Sequence, residues 1–213
     1  EGGHSMHSHY SARSNPFMCY EYTIFEAEVA STFNEDLLFR SLIKKADEPA
    51  LKAYLLSTRV SDILATLFRQ TMFAEFEKKT HALVESGTPL TADKLRSEYR
   101  SLLEAYFGSE MQFEQESDLE CLRIPHFYNA FYVYKYATGI SAAMALANRV
   151  YNGGESERKD YFKFLASGGS RYPIDALKVA GVNMEEKEPV RAACETFVAT
   201  LDELDTALKA INR

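Results

Sequence analysis

Three of the chain's five histidines fall within its first nine residues, Glu1-Gly2-Gly3-His4-Ser5-Met6-His7-Ser8-His9. A zinc-peptidase helix reads His-Glu-x-x-His. Its two histidines project from one helical face onto a metal, and the glutamate lies beside the water that the metal activates. Glu1-x-x-His4 reproduces the last four positions of that pattern, and the leading histidine has no counterpart in the sequence. Alone, Glu-x-x-His is a weak signal that recurs by chance in many helices. The bland alternative is a solvated glutamate beside a partly exposed histidine. Another alternative is a surface cluster of His4, His7 and His9 that takes up metal adventitiously.

Such a zinc needs a third ligand, often a glutamate from a following helix. Ile24-Phe25-Glu26-Ala27-Glu28-Val29-Ala30-Ser31-Thr32 sets two carboxylates in an otherwise apolar stretch. Two residues apart, they face nearly opposite sides of a helix, so one can be buried toward a site while the other meets solvent. Glu28 lies among the small residues Ala27, Ala30 and Ser31, which lets another helix approach. A carboxylate on a packed face needs a partner, a metal or an arginine such as Arg13.

A third stretch, Ile124-Pro125-His126-Phe127-Tyr128-Asn129-Ala130-Phe131-Tyr132-Val133-Tyr134-Lys135-Tyr136, concentrates tyrosines behind one histidine. One reading is an aromatic packing helix with hydroxyls at its rim. The other is a row of donors lining a cleft, able to stabilise the oxyanion formed when water attacks a peptide carbonyl. On a helix Tyr128 and Tyr132 share a face, which Tyr136 extends. Gly168-Gly169-Ser170-Arg171-Tyr172-Pro173 follows no strand and lacks nucleotide-loop spacing. It reads as a mobile turn beside a cleft or as a plain helix connection. No Ser/His/Asp or Cys/His arrangement is supported.

The elements that must position these residues read as helices. The chain has 213 residues, 46% apolar and 26% charged, with only 10 glycines and 6 prolines gathered at boundaries. Apolar spacing and breakers predict helices over about 1–12, 22–45, 91–107, 125–151, 156–166, 173–180 and 189–211. A long helix capped by Asp47, with Pro49 in its first turn, extends to about Glu85. Residues 108–120 read as an acidic loop. The expected stripe of the last helix is Ala192, Phe197, Leu201, Leu204 and Leu208. The fold class is all-α, one compact multi-helix domain with long antiparallel helices and no repeat or linker.

The net charge of −7 argues against a nucleic-acid surface. No run of about 18 uncharged apolar residues would span a bilayer, so no membrane is expected. Three cysteines without a paired spacing suit reduced thiols in the cytoplasm. The chain opens on Glu1 rather than Met, so its natural N-terminus is expected upstream.

Taken together and in order, Glu1-Gly-Gly-His4-Ser-Met-His7-Ser, Phe25-Glu-Ala-Glu28-Val-Ala-Ser-Thr and Pro125-His126-Phe-Tyr128-Asn-Ala-Phe-Tyr132-Val-Tyr134-Lys-Tyr136-Ala-Thr-Gly139 resemble oligoendopeptidase F. This is the bacterial branch of the thimet-oligopeptidase family of zinc metallopeptidases. Ser167-Gly-Gly-Ser-Arg-Tyr-Pro173 and the following Ala180-Gly-Val look like the same family. The resemblance covers essentially residues 1–213, which would be the C-terminal part of a helical, zincin-like catalytic domain truncated at its N-terminus. It implies Zn²⁺ as cofactor and short oligopeptides as substrate. Glu1 would be the general base, His4 and Glu28 zinc ligands, and His126, Tyr128 and Tyr132 donors in the cleft, with Tyr136 a further candidate.

The absent first histidine implies a parent peptidase whose isolated fragment is not competent, since Glu1 would sit at a frayed end. Self-association, or pairing with the missing N-terminal part, is expected, because the channel that the resemblance implies would lack one wall and uncover apolar surface. The alternative is a non-catalytic helical fragment or partner-binding module.

Overall fold

The computed structural model describes residues 1–211, and among them every regular element is helical. The α-helices are α1 (Gly2–Ser14), α2 (Ile24–Lys45), α3 (Pro49–Ile63), α4 (Arg69–Glu85), α5 (Ala92–Phe107), α6 (Tyr134–Asn152), α7 (Glu155–Leu165), α8 (Pro173–Val179) and α9 (Glu188–Ile211). A wide π-turn, Leu64–Phe68, lies between α3 and α4. No helix among the described residues is long and apolar enough to cross a membrane.

The ends of these helices follow from local chemistry. Pro16 stops α1, and Asn15 donates its side-chain amide to Ser11 O at 2.9 Å and to Ala166 O at 2.8 Å. Thr23 and Glu26 form a capping box at the start of α2, with Thr23 N–H donating to Glu26 Oε2 at 3.2 Å. Thr91 caps α5 by accepting Lys94 N–H at 3.2 Å. Glu48, without a side-chain bond, occupies the N-cap of α3, so Asp47 does not cap that helix as expected.

The contacts divide the chain into two units, residues 1–64 with those from Thr138 onward, and Ala65–Ala137. In the first, Val29, Ala30 and Phe33 of α2 join Ala142, Ala143, Leu146 and Ala147 of α6 and Phe164 and Leu165 of α7 in one core. Phe33 stacks on Tyr161 with ring centroids 3.8 Å apart. Helices α3 and α9 pack against each other through a second, smaller core. There Ala207 of α9 is buried with Ala53 and Leu56 and Leu204 packs against them, while along α9 Ala193, Thr200 and Ala207 are buried at seven-residue spacing and Leu201 and Leu208 are exposed. Of the expected stripe, Leu204 packs on this core and Leu201 and Leu208 do not, because small side chains let the two helices approach and some larger ones are left at the flanks.

In the second unit, Met72, Phe73 and Phe76 of α4 pack on Tyr99, Leu102 and Leu103 of α5 with Cys121, Ile124 and Val133. Part of the expected acidic loop is a 3₁₀ turn, Ser117–Leu122. Its acids are anchored inward: Asp118 takes Arg96 at 2.7 Å, and Glu120 accepts the Tyr99 hydroxyl at 2.6 Å. The aromatic stretch is not one helix from Pro125. A 3₁₀ turn covers Pro125–Tyr128, irregular chain follows, and α6 begins only at Tyr134. The interruption centres on Phe131, whose φ of 57° is incompatible with continuing a right-handed helix.

Candidate active site

Helix α1 reaches α2 through Gly3. A Cβ at that position would fall on the carbonyl of Ala30 and 2.6 Å from Ser31 Cα, so only glycine allows this approach. The next residue is His4, and its Nε2 stands 3.5 Å from Glu28 Oε2. Ser31 Oγ donates to Glu28 Oε2 at 3.0 Å and to Glu28 O at 2.9 Å, fixing the carboxylate from one side. The His4 and Glu28 side chains remain 33% and 42% exposed, so both donors are open to an incoming group. Glu28 has His4 and Ser31, rather than Arg13, as its described neighbours.

This pair fits a zinc ion. Two donors at about 2.0–2.2 Å from a tetrahedral zinc stand about 3.4 Å apart, and imidazole nitrogen with carboxylate oxygen is ordinary zinc chemistry. The described residues contain no group of three or more His, Cys, Asp or Glu side chains that could hold a metal. They therefore supply two donors. Glu1 is exposed at the N-cap of α1, where its backbone oxygen accepts Ser5 N–H at 3.0 Å and its side chain makes no capping bond.

Glu26 and Glu28 differ in burial, but the buried one is not the one at the candidate site: the partly exposed Glu28 meets His4. Glu26 is buried and completes the capping box, and burial raises its carboxyl above the ordinary range despite the Thr23 hydrogen bonds. The three early histidines also separate. His9 packs edge-on against Tyr10. His7 is buried, stacked on Tyr22 at 3.6 Å, with neither ring nitrogen hydrogen-bonded among the described residues. Burial, aided by nearby His4, lowers its pKa to about 4, so it is a neutral packing group.

The second unit gathers His126, Tyr132 and Tyr136. The His126 ring lies over Tyr132 at 5.7 Å and edge-on to Tyr136 at 6.0 Å, and the Tyr136 hydroxyl donates toward Tyr132 Oη at 3.5 Å. Tyr128 is 90% exposed, and the chain between it and Tyr132 is not helical, so the expected shared face of those two does not form. In the first unit, the Gly168–Pro173 turn is seated rather than loose. A Cβ at Gly168 (φ 50°) would meet Ser11 Oγ and Cys19 O, and one at Gly169 would meet Glu21 O.

Residues 1–196 match the sequence profile of Peptidase family M3. The chain belongs to this family. Oligopeptidase PepF of Bacillus subtilis is 44% identical over 213 residues, covering 100% of this chain and 32% of that protein. The oligoendopeptidase F homolog of Borreliella burgdorferi is 44% identical over 208 residues, covering 96% and 35%. The crystal structure of oligoendopeptidase-F from Enterococcus faecium superposes with a TM-score of 0.88 at 38% identity, covering 98% of this chain and 38% of the other. This M3 chain thus spans about a third of the length of the curated relatives it matches.

Some roles are not marked by spacing. His7, one of the three early histidines, is a buried stacking group rather than part of a surface cluster. Glu77 of α4, buried and bonded to the backbone at Phe131, lies in the charged run Glu75-Phe76-Glu77-Lys78-Lys79, which reads as a solvated face. The Thr23-x-x-Glu26 spacing was the available clue that Glu26 caps a helix and leaves Glu28 for the site.

Proposed function

We propose that this chain is the C-terminal part of the catalytic domain of a cytoplasmic, zinc-dependent endopeptidase that cleaves short oligopeptides. The observation that carries the reading is the convergence of His4 and Glu28 within 3.5 Å, from two helices, in the sequence context Glu1-x-x-His4. Membership of a peptidase family and the names of its relatives support the reaction class. Three cysteines, all unpaired, support a reducing compartment.

His4 and Glu28 would hold the ion, with Ser31 orienting Glu28 through its hydroxyl. Zinc, when bound, supplies Lewis acidity toward water and the scissile carbonyl. Glu1 takes a proton from the attacking water and passes it to the departing amine, so no covalent acyl-enzyme forms. His126 and Tyr132 donate to the carbonyl oxygen as it gains negative charge. Tyr136 donates toward the Tyr132 hydroxyl, and the exposed Tyr128 is a further donor to bound peptide. With two protein donors the chain by itself holds zinc weakly and is inactive. Pairing with the remainder of a relative-length chain completes the site, and the exposed Phe17, Met18 and Tyr172 offer apolar surface for it.

Zinc competition against a chromophoric chelator tests the reading. The expected result is one site per chain, weakened at least about tenfold by either His4→Ala or Glu28→Ala. Retention of full affinity in Glu28→Ala, with loss in His9→Ala, would mean adventitious histidine binding and refute it. Zinc-dependent cleavage of a quenched fluorescent oligopeptide by the chain alone would refute its inactivity.

A further inference from the structure

Between His126 and Tyr132 the backbone passes through Phe131 in the left-handed region, with φ 57°. Phe131 is the one non-glycine residue with positive φ among the described residues. For an aromatic side chain this conformation is unfavourable and persists only where surroundings enforce it. The enforcement comes from α4. The Phe131 N–H donates to Glu77 Oε1 at 2.5 Å, and Glu77 is only 4% exposed. One turn further along α4, the His81 ring packs on the Phe131 ring with centroids 4.7 Å apart. Two side chains of one helix, four residues apart, therefore grip the strained residue by its amide and by its ring.

Glu77 is an expensive choice for mere packing. A buried carboxylate needs compensation, and the bond it accepts is charge-assisted and short. An apolar residue would fill the space without that cost but would leave the Phe131 amide unheld. The bond acts where direction matters: one residue before Tyr132 and five after His126, whose rings stack on each other.

The geometry points to Glu77 as a positioning residue, which fixes Phe131 in its left-handed turn so that Tyr132 is aimed over His126. Its catalytic relevance rests on the reading of His126 and Tyr132 as oxyanion donors. The tether itself can be tested without activity or metal.

The test uses the whole chain, labelled for observation of histidine and tyrosine rings by NMR, with hydrogen exchange at backbone amides. In Glu77→Ala, the Phe131 amide is expected to exchange about tenfold faster or more. The ring-current shift of the His126 Cε1–H is expected to collapse toward its random-coil position. Amides of the Tyr99–Leu103 core should keep their protection. Glu77→Gln, which still offers a carbonyl oxygen, should restore most of the His126 shift. In the Glu77→Ala background, Phe131→Gly should recover more of that shift than Phe131→Ala. Both lose the ring, but only glycine adopts a positive φ without help.

An unchanged His126 resonance in Glu77→Ala would overturn the proposal. So would Glu77→Gln collapsing the shift while the core stays protected, or equal shifts with Phe131→Gly and Phe131→Ala. Should Glu77→Ala fail to fold, Glu77→Gln alone decides by the same criterion. Loss of zinc binding specificity in the competition assay, with this tether confirmed, would refute the peptidase reading and leave the tether standing.

Discussion

Substituting Gly3 by alanine tests how tightly the His4–Glu28 pair, the proposed metal donors, depends on helix packing. The added Cβ would lie 2.6 Å from Ser31 Cα and closer still to the Ala30 carbonyl. Ordinary carbon contacts begin near about 3.5 Å, so α1 and α2 must separate by about 1 Å. Both obstructing groups are backbone, which cannot swing aside as a side chain would. Overpacking of this kind costs up to about 3 kcal/mol. Alanine's better helix propensity returns about 1 kcal/mol. The net loss of about 2 kcal/mol corresponds to a Tm lower by about 4–8 °C in a chain of this size.

The site suffers as well, since His4 follows Gly3 directly. Opening the helices by that amount stretches the 3.5 Å between His4 Nε2 and Glu28 Oε2 toward about 4.5 Å, beyond the span of one tetrahedral ion. Zinc affinity should fall at least about tenfold. Thermal unfolding and chelator competition read the two effects together. Gly2→Ala is the control, because a Cβ there meets nothing within 4 Å. If Gly3→Ala matched Gly2→Ala in both Tm and zinc affinity, the close approach would not be what sets the donors.

Two further outcomes are expected of the packing. His7 has a folded-state pKa of about 4 against an ordinary 6.5, so the unfolded chain takes up that proton first. Its contribution to stability is complete above about pH 6.5 and is lost as pH falls toward 4, by about 3 kcal/mol when fully expressed. His7→Phe keeps the stack on Tyr22 and should flatten this part of the pH dependence in urea unfolding; an unchanged slope would show that another group carries it. Arg59, buried on α3, pairs with the equally buried Asp36 of α2, which also holds Arg40 at 2.6 Å. Arg59→Met should cost about 3 kcal/mol in the same assay, because Asp36 then stays buried with only one partner, and a cost below about 1 kcal/mol would contradict this.

Helices were legible wherever a breaker coincided with apolar spacing. Pro16 ends α1, Thr91 opens α5 and Pro173 opens α8, all near their expected places. The π-turn at Leu64–Phe68 was not legible, since Leu-Ala-Thr-Leu-Phe is ordinary helical composition and a wide turn leaves no residue signature. Neither was the break at Phe131, where a proline start and a dense aromatic run imitate a helix while a distant carboxylate dictates the turn. In the candidate site, the approach of His4 to Glu28 could be anticipated because a metal motif constrains residue type and spacing. Glu77 could not, because its role depends on a partner 54 residues away. The buried face of α9 was only partly legible, through Leu204, for a related reason: periodicity marks large apolar residues, whereas the fully buried positions of α9 include Ala193, Thr200 and Ala207.

The seat of α1 carries a consequence for how the protein is made. The helix that bears Glu1 and His4 packs on α2 and α7, and its far end is clamped by Ala166 and the Gly168–Ser170 turn. Those clamping residues are synthesised more than 150 positions after His4. At about 5–20 residues per second, a ribosome needs roughly 10–30 s to deliver them. Throughout that interval α1 has only part of its cradle, and the seat of its far end is complete only once the Gly168–Ser170 turn has been made.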